Sequence, residues 1–233
     1  MIREIIQKLF YKDPDIKYKF PEFVLRKILA EIKGDILDIG TGDGMKLKRI
    51  LQSIDKSNIG KVLAIEINPK MYALAKENLQ SICDSVIKSN IDSFETEKRF
   101  DTILMFEVLE HLENPKRSLQ KIVKLLKDNG KIIITTPNKL IYDILDHFKK
   151  QNYSKGDKSN QDESEGIGQA HLSEVSYSQA INLLEEFFYK VEAYGIYPFH
   201  GLLKSKIYEK INEKTNFLPL SSRILLICRN KKT

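Results

Sequence analysis

Residues Asp35–Gly44 read DILDIGTGDG. Asp35–Gly40 is a short, mostly apolar run that closes on glycine, the pattern of a buried strand. Gly40, Gly42 and Gly44 then follow at alternate positions. Glycine lets the backbone turn sharply and approach another group closely. Beyond them, Leu47, Ile50, Leu51 and Ile54 recur at helical spacing, which predicts a helix over Gly44–Ile54. A glycine turn that feeds a helix presents unpaired N–H groups, and the positive end of the helix dipole, to an anionic group.

The same alternation extends outward in both directions. Upstream, residues 1–33 read as helical. In PEFVLRKILAEI, Val24, Leu25, Ile28, Leu29 and Ile32 form one stripe after Pro21, and Gly34 stops it. Downstream, strands are expected at Lys61–Ile67, Ser85–Ser89, Phe100–Phe106, Lys131–Thr136, Tyr189–Tyr197 and Ser222–Arg229. Helices are expected at Pro69–Ile82, Pro115–Lys127, Leu140–Lys150 and Ser178–Phe188. Asn114 and Gly130 flank the second of these segments, Pro115–Lys127, as its start and stop. Uninterrupted apolar strands alternating with helices mean a parallel sheet covered on both faces. The polar stretch Gln151–Gln169 breaks the rhythm; residues 151–172 read as a lid-like loop or as disorder. Residues 1–233 are expected to form one domain.

Composition narrows the class. The chain has 233 residues, of which 42% are hydrophobic and 30% charged, ordinary for a globular protein and wrong for a disordered one. Its net charge is +6, which permits a nucleic-acid partner without requiring one. Only seven of the 38 basic residues are Arg (Arg3, Arg26, Arg49, Arg99, Arg117, Arg223, Arg229), against the planar forks that base recognition favours. Cys83 and Cys228 form no metal or disulfide framework. The opening MIREIIQKLF carries charges among its apolar residues, unlike a signal peptide, and ILLIC (Ile224–Cys228) is too short to span a bilayer. A cytoplasmic location is the expectation.

In such a sheet, ligands bind beyond the carboxyl ends of the strands. Two nucleotide readings compete. A dinucleotide fold wants a third glycine where Met45 stands. The spacing here is acid-x-Gly-x-Gly-x-Gly, with Glu66 ending the next strand, where a carboxylate can accept from both ribose hydroxyls. This resembles motif I of the class I S-adenosylmethionine (SAM)-dependent methyltransferases. The resemblance continues in order through Glu66, SNID (Ser89–Asp92), RFDTILMFEVLEHLENP (Arg99–Pro115) and LKDNGKIIITTPN (Leu126–Asn138). It implies a doubly wound, Rossmann-like sheet of seven strands, mostly parallel with an antiparallel last strand and helices on both faces. It also implies that Asp38, Gly40, Thr41, Gly42 and Gly44 hold the methionine end of SAM. Glu66 would bind the ribose, Ile67 would pack on the adenine, Asn90 and Ile91 would lie at its edge, and Phe106 would line the pocket. Many relatives have Gly-Asp where this chain has Ser89-Asn90.

FEVLEHL (Phe106–Leu112) follows the fourth strand, beside the place for a methyl acceptor. As a helix it would carry Glu107, Glu110 and His111 on one face, half of a divalent-metal site for Mg2+ or Mn2+, which His171 could complete. The bland reading is that Glu107 and His111 pair with each other. His111 or His171 could also serve as general base. The segment resembles two branches of the family: the ubiquinone-pathway O-methyltransferases, and the metal-dependent small-RNA 3′-terminal 2′-O-methyltransferases. The favoured expectation is O-methylation of a hydroxyl-bearing small molecule or lipid-like precursor. RNA methylation and non-catalytic SAM binding are the alternatives. His147 and His200 receive no role.

Overall fold

A computed structural model describes residues 20–141, 143, 175–198 and 221–232. The elements in chain order are α1 (Glu22–Glu31), β1 (Gly34–Ile39), α2 (Met45–Ser53), β2 (Ile59–Glu66), α3 (Pro69–Leu79), β3 (Ser85–Lys88), β4 (Phe100–Phe106), α4 (Pro115–Leu125), β5 (Leu126–Pro137), α5 (Tyr177–Glu185), β6 (Phe188–Pro198) and β7 (Ser221–Lys231). The strands form one seven-stranded sheet in the order β3-β2-β1-β4-β5-β7-β6. All pairs from β3 to β5 are parallel, and β7 runs antiparallel to both its neighbours. The doubly wound sheet with an antiparallel last strand is therefore present. The strand order reverses beside β1, so the carboxyl ends of β1 and β4 flank the natural crevice.

Alternation along the strands separates two cores. Leu37, Ile39, Ile103, Met105, Ile132 and Ile134 pack with Leu119 and Ile122 of α4 and Ala180 and Leu184 of α5. Ile36, Leu104 and Ile133 point the other way, against Val24 and Ile28 of α1, Leu47 and Ile50 of α2, and Ala75 and Leu79 of α3. Burying one such Leu or Ile side chain contributes roughly 1.5–3 kcal/mol. Asp38 alternates onto the α1–α3 side, so the sheet's pleat sets a carboxylate among apolar neighbours.

The expected boundaries shift where tertiary contacts act. The helix expected to end at Lys127 stops at Leu125, and β5 begins at once with Leu126. Gly130 is therefore a strand residue and no helix cap. A Cβ there would come within 2.9 Å of the Lys127 and Phe100 carbonyl oxygens, where the β4–β5 register slips. Residues 139–141 open the helix expected at 140–150; nearly all the rest of it lies outside the described residues. So do residues 1–19 of the expected N-terminal helices and the whole polar loop 151–172.

An ion network fastens α1 to the sheet. Glu31 Oε2 accepts from Lys131 Nζ at 2.9 Å, and Glu31 Oε1 accepts from Arg229 Nη2 at 2.6 Å. Arg229 also reaches Glu192 on β6 at 2.8 Å. Burial raises the Glu31 pKa, but the Arg229 and Lys131 hydrogen bonds outweigh it and hold the group at about 2. Because the folded value lies below the unfolded one, the stabilisation is present above the usual carboxylate range and is lost as pH falls toward the folded value. Glu31→Gln should cost roughly 1–2 kcal/mol near neutral pH, between the values for exposed and buried pairs. Urea unfolding of both proteins at a series of pH values tests this: the gap should shrink between about pH 4.5 and pH 2. A gap that does not change over that range would remove Glu31 as its source.

Candidate active site

The glycine loop adopts the shape its composition permits. Gly40, Gly42 and Gly44 all have left-handed backbones, with φ of 67°, 62° and 81°. Their reasons differ. A Cβ on Gly40 would lie 2.6 Å from Val108 Cγ2, and one on Gly44 would lie 2.8 Å from Leu79 Cγ. A Cβ on Gly42 would meet nothing within 4 Å; it would project into open space beyond the strand ends. The loop is fastened to β2 by the Gly40 and Thr41 N–H groups, which donate to the Ile65 carbonyl at 2.9 and 3.1 Å. Asn78 Nδ2 of α3 donates to the Asp43 carbonyl at 2.9 Å.

Glu66 is buried and oriented. Its Oε2 accepts from the Gly42 N–H at 2.8 Å, and its Oε1 accepts from the Asn68 N–H at 2.8 Å. Ile67 follows with 44% of its surface exposed, an open apolar platform beside that carboxylate. Asn90 Oδ1 already accepts from Ser93 N at 2.8 Å and Ser93 Oγ at 2.6 Å, so the oxygen is engaged within its own turn. Ile91 is buried in the core with Phe94 and anchors this loop. Phe106 is buried, and its ring meets Phe20 edge-on at 5.1 Å.

The segment after β4 is not the expected helix. Glu107 has φ 60°, left-handed and outside any helix, and only Leu109–His111 form a single 3-10 turn. A non-glycine residue held there costs about 1–3 kcal/mol. Three contacts offset the strain. The Glu107 N–H donates to the Thr135 carbonyl at 2.8 Å, Thr135 Oγ1 donates to Glu107 Oε1 at 2.8 Å, and Arg223 Nε lies 3.0 Å from Glu107 Oε2. Glu110 is buried and accepts from Thr136 Oγ1 at 3.1 Å. Thr135 and Thr136 of the TTPN stretch thus hold the two carboxyl groups. Asn138 closes that stretch structurally, donating to the Ser221 carbonyl at 2.9 Å and accepting from the Tyr177 N–H at 3.2 Å.

This arrangement does not suit the expected metal. Glu107 is committed to Arg223 and Thr135 and does not share a helix face with Glu110 and His111. Burial, and then the charge of Glu107, push the Glu110 carboxyl well above the ordinary carboxylate range. Among the described residues, no three His, Cys, Asp or Glu side chains come together as a metal site. His171, the proposed fourth ligand or base, lies outside the described residues, as do His147 and His200.

Two cations that the sequence reading did not single out complete the mouth. Arg223 is the third residue of β7, opposite Pro137 of β5. Lys46 stands in the first turn of α2 and feels Glu107, Arg223, Asp38 and Glu110. Helical spacing from Gly44 could have marked Lys46 as a first-turn residue; nothing local marks Arg223. Asp38 itself is 2% exposed, and burial raises its pKa to about 7.

A glycine loop at the carboxyl end of β1, an oriented carboxylate at the end of β2, and a seven-stranded sheet with β7 inserted antiparallel are the features of a class I SAM-dependent methyltransferase fold. A family model described as a methyltransferase domain matches residues 7–198, and the chain belongs to that family. It is 31% identical over 124 residues to the ubiquinone biosynthesis O-methyltransferase of Rickettsia akari (strain Hartford), covering 51% of this chain and 48% of that protein. The chain thus spans about half the length of the curated relatives it matches. A SAM-dependent methyltransferase from Thermotoga maritima superposes with a TM-score of 0.61 at 14% identity, covering 99% of this chain and 96% of that one. The N-methyltransferase NodS from Bradyrhizobium japonicum, in complex with S-adenosyl-L-homocysteine (SAH), superposes with a TM-score of 0.59 at 16% identity, covering 98% and 97%.

The three glycines give a direct test. Gly42→Ala places a methyl group in open space and should fold with a loss of about 1–2 kcal/mol from its left-handed backbone, yet weaken SAH binding tenfold or more. Gly44→Ala drives its Cβ into Leu79 and should lower the unfolding temperature more than Gly42→Ala does. Calorimetry with SAH and thermal unfolding of both variants read the difference. Undiminished SAH affinity in Gly42→Ala would place the cofactor elsewhere.

Proposed function

We propose that the chain transfers the methyl group of SAM to a hydroxyl oxygen of a small, hydroxyl-bearing acceptor or lipid-like precursor. The observation that carries this reading is the carboxyl pair Glu107 and Glu110 at the carboxyl end of β4, beside the loop that would hold the cofactor. The named O-methyltransferase reaction of the ubiquinone-pathway relatives supports oxygen as the target.

SAM, when bound, supplies a methyl group already activated on a sulfonium. The protein's task is then alignment and proton handling. Glu66 would hold the ribose hydroxyls, and Ile67 would pack on the adenine. Asn90, with its oxygen occupied, would reach the ring nitrogens through its NH2. Asp38 and the glycines would receive the methionine end. Glu107, held by Arg223 and Thr135 at the end of β4, would be the carboxylate that orients the acceptor hydroxyl or takes its proton. His111, one 3-10 turn on, and His171 are the imidazole bases of this reading. The donors at the mouth do not fit a divalent ion, and no step depends on one.

Labelled SAM incubated with the protein and a cell extract, fractionated into small molecules, lipids and RNA, tests the proposal. Label is expected in the small-molecule or lipid fraction, stable to mild alkali as an ether is and an ester is not, and undiminished by a chelator. Glu107→Gln should lower that incorporation tenfold or more with SAH affinity retained. Label confined to RNA, or alkali-labile label, would contradict it.

A further inference from the structure

The stretch TTPN (Thr135–Asn138) runs over the end of β5, and each of its four residues meets a different part of the acceptor end. Thr135 takes hold of Glu107 twice. Its carbonyl accepts from the Glu107 N–H at 2.8 Å, and its Oγ1 donates to Glu107 Oε1 at 2.8 Å. Thr136 Oγ1 donates to Glu110 Oε2 at 3.1 Å. Pro137 lies opposite Arg223 in the β5–β7 ladder. Asn138 pins the start of β7: its N–H donates to the Ser222 carbonyl and its Nδ2 to the Ser221 carbonyl, both at 2.9 Å. Asn138 Oδ1 in turn accepts from the Tyr177 N–H at 3.2 Å, which ties the same corner to α5. Asn138 and Ser221 are fully buried, so these bonds are shielded from water. Arg223, the next residue along β7, is thereby fixed in its position along the strand.

The pleat decides which of these side chains meet. Paired residues of antiparallel strands point to one face, and residues two apart on a strand share that face. Arg223, opposite Pro137, therefore lies on the face of Thr135, while Thr136 faces the other way. Because β7 is antiparallel, it starts where β5 ends, and it delivers its third residue to the carboxyl ends of the sheet. Glu107 leaves β4 at that place, and Arg223 Nε lies 3.0 Å from Glu107 Oε2 as an ion pair. One carboxylate oxygen is thus held by Thr135 and the other by Arg223, on a backbone kept left-handed at φ 60°. A side chain so oriented, on a backbone held against its preference, is preorganised. Resting on the function proposed above, we propose that Arg223 and Thr135 are positioning residues for methyl transfer, which aim Glu107 at the acceptor hydroxyl. Asn138 acts one step further out, by setting Arg223.

Transfer of label from SAM to the extract by the full chain, read beside calorimetry with SAH, tests this as a double-mutant cycle. Arg223→Ala and Glu107→Gln should each lower transfer about tenfold or more, with the SAH Kd within about twofold of the parent's. The double variant should fall no more than about threefold below Glu107→Gln alone, because Arg223 acts through Glu107. Free guanidinium at millimolar concentration should restore part of the transfer to Arg223→Ala and none to the double variant. Thr135→Val should also lose transfer, and Thr135→Ser, which keeps the donor, should retain most of it. If Arg223→Ala does not fold, Thr135→Val and Thr135→Ser decide through the same cycle with Glu107→Gln. Transfer by Arg223→Ala equal to the parent's, or losses that simply multiply in the double variant, would overturn the assignment. A parent chain that binds SAH but labels no fraction would instead remove the proposed function on which it rests.

Discussion

The hydrogen bond from the Gly42 N–H to Glu66 Oε2, 2.8 Å long, joins the end of β1 to the end of β2. Most of the site depends on it. The loop can offer that N–H only because Gly40, Gly42 and Gly44 accept left-handed backbones in succession. Gly40 must also leave room for Val108, so the segment after β4 fixes the loop from the other side. Two stretches far apart in sequence thereby hold each other: the glycine turn makes space for Val108, and the strained Glu107 beside Val108 is held by Thr135 and Arg223. The crevice between β1 and β4 is the result.

Charges are treated differently at the two kinds of place. Where they serve the fold, they are shared several ways. Glu31 meets Lys131 and Arg229, and at the amino end of the sheet Lys127 lies 3.0 Å from Asp35 and 2.7 Å from Asp101. At the carboxyl ends of β1 and β4 the pairing is incomplete. Burial raises Asp38 and lowers Lys46 from their ordinary ranges, and Glu110 is pushed toward its neutral form by burial and by Glu107. Unbalanced buried charge costs stability, so its concentration in one crevice is a functional signature.

The fold was legible because its signals are local. The central parallel strands are apolar runs, and Gly40, Gly42 and Gly44 sit where the turn after β1 requires them. The local geometry of the glycine turn and Glu66 was legible for the same reason: they lie in two short stretches whose spacing alone fixes their relation. The acceptor half was not. FEVLEHL has helical spacing, but the Glu107 N–H bonds to Thr135 on β5, and that long-range hydrogen bond breaks the helix before it starts. Arg223 enters through β7, which pairs with β5 across more than eighty residues of intervening chain. Gly130 read as a helix stop and proved to be a close approach of backbones. In each case a contact between distant segments overrode a local preference.

On the function proposed here, the loop Gly40–Gly44 and Glu66 form a SAM pocket and not a dinucleotide pocket. Calorimetric titration of the full chain with SAM and, separately, with NAD+ measures it most directly. Saturable one-to-one binding of SAM, with no heat from NAD+ at the same concentrations, is the predicted result. Binding of NAD+ with indifference to SAM would contradict it.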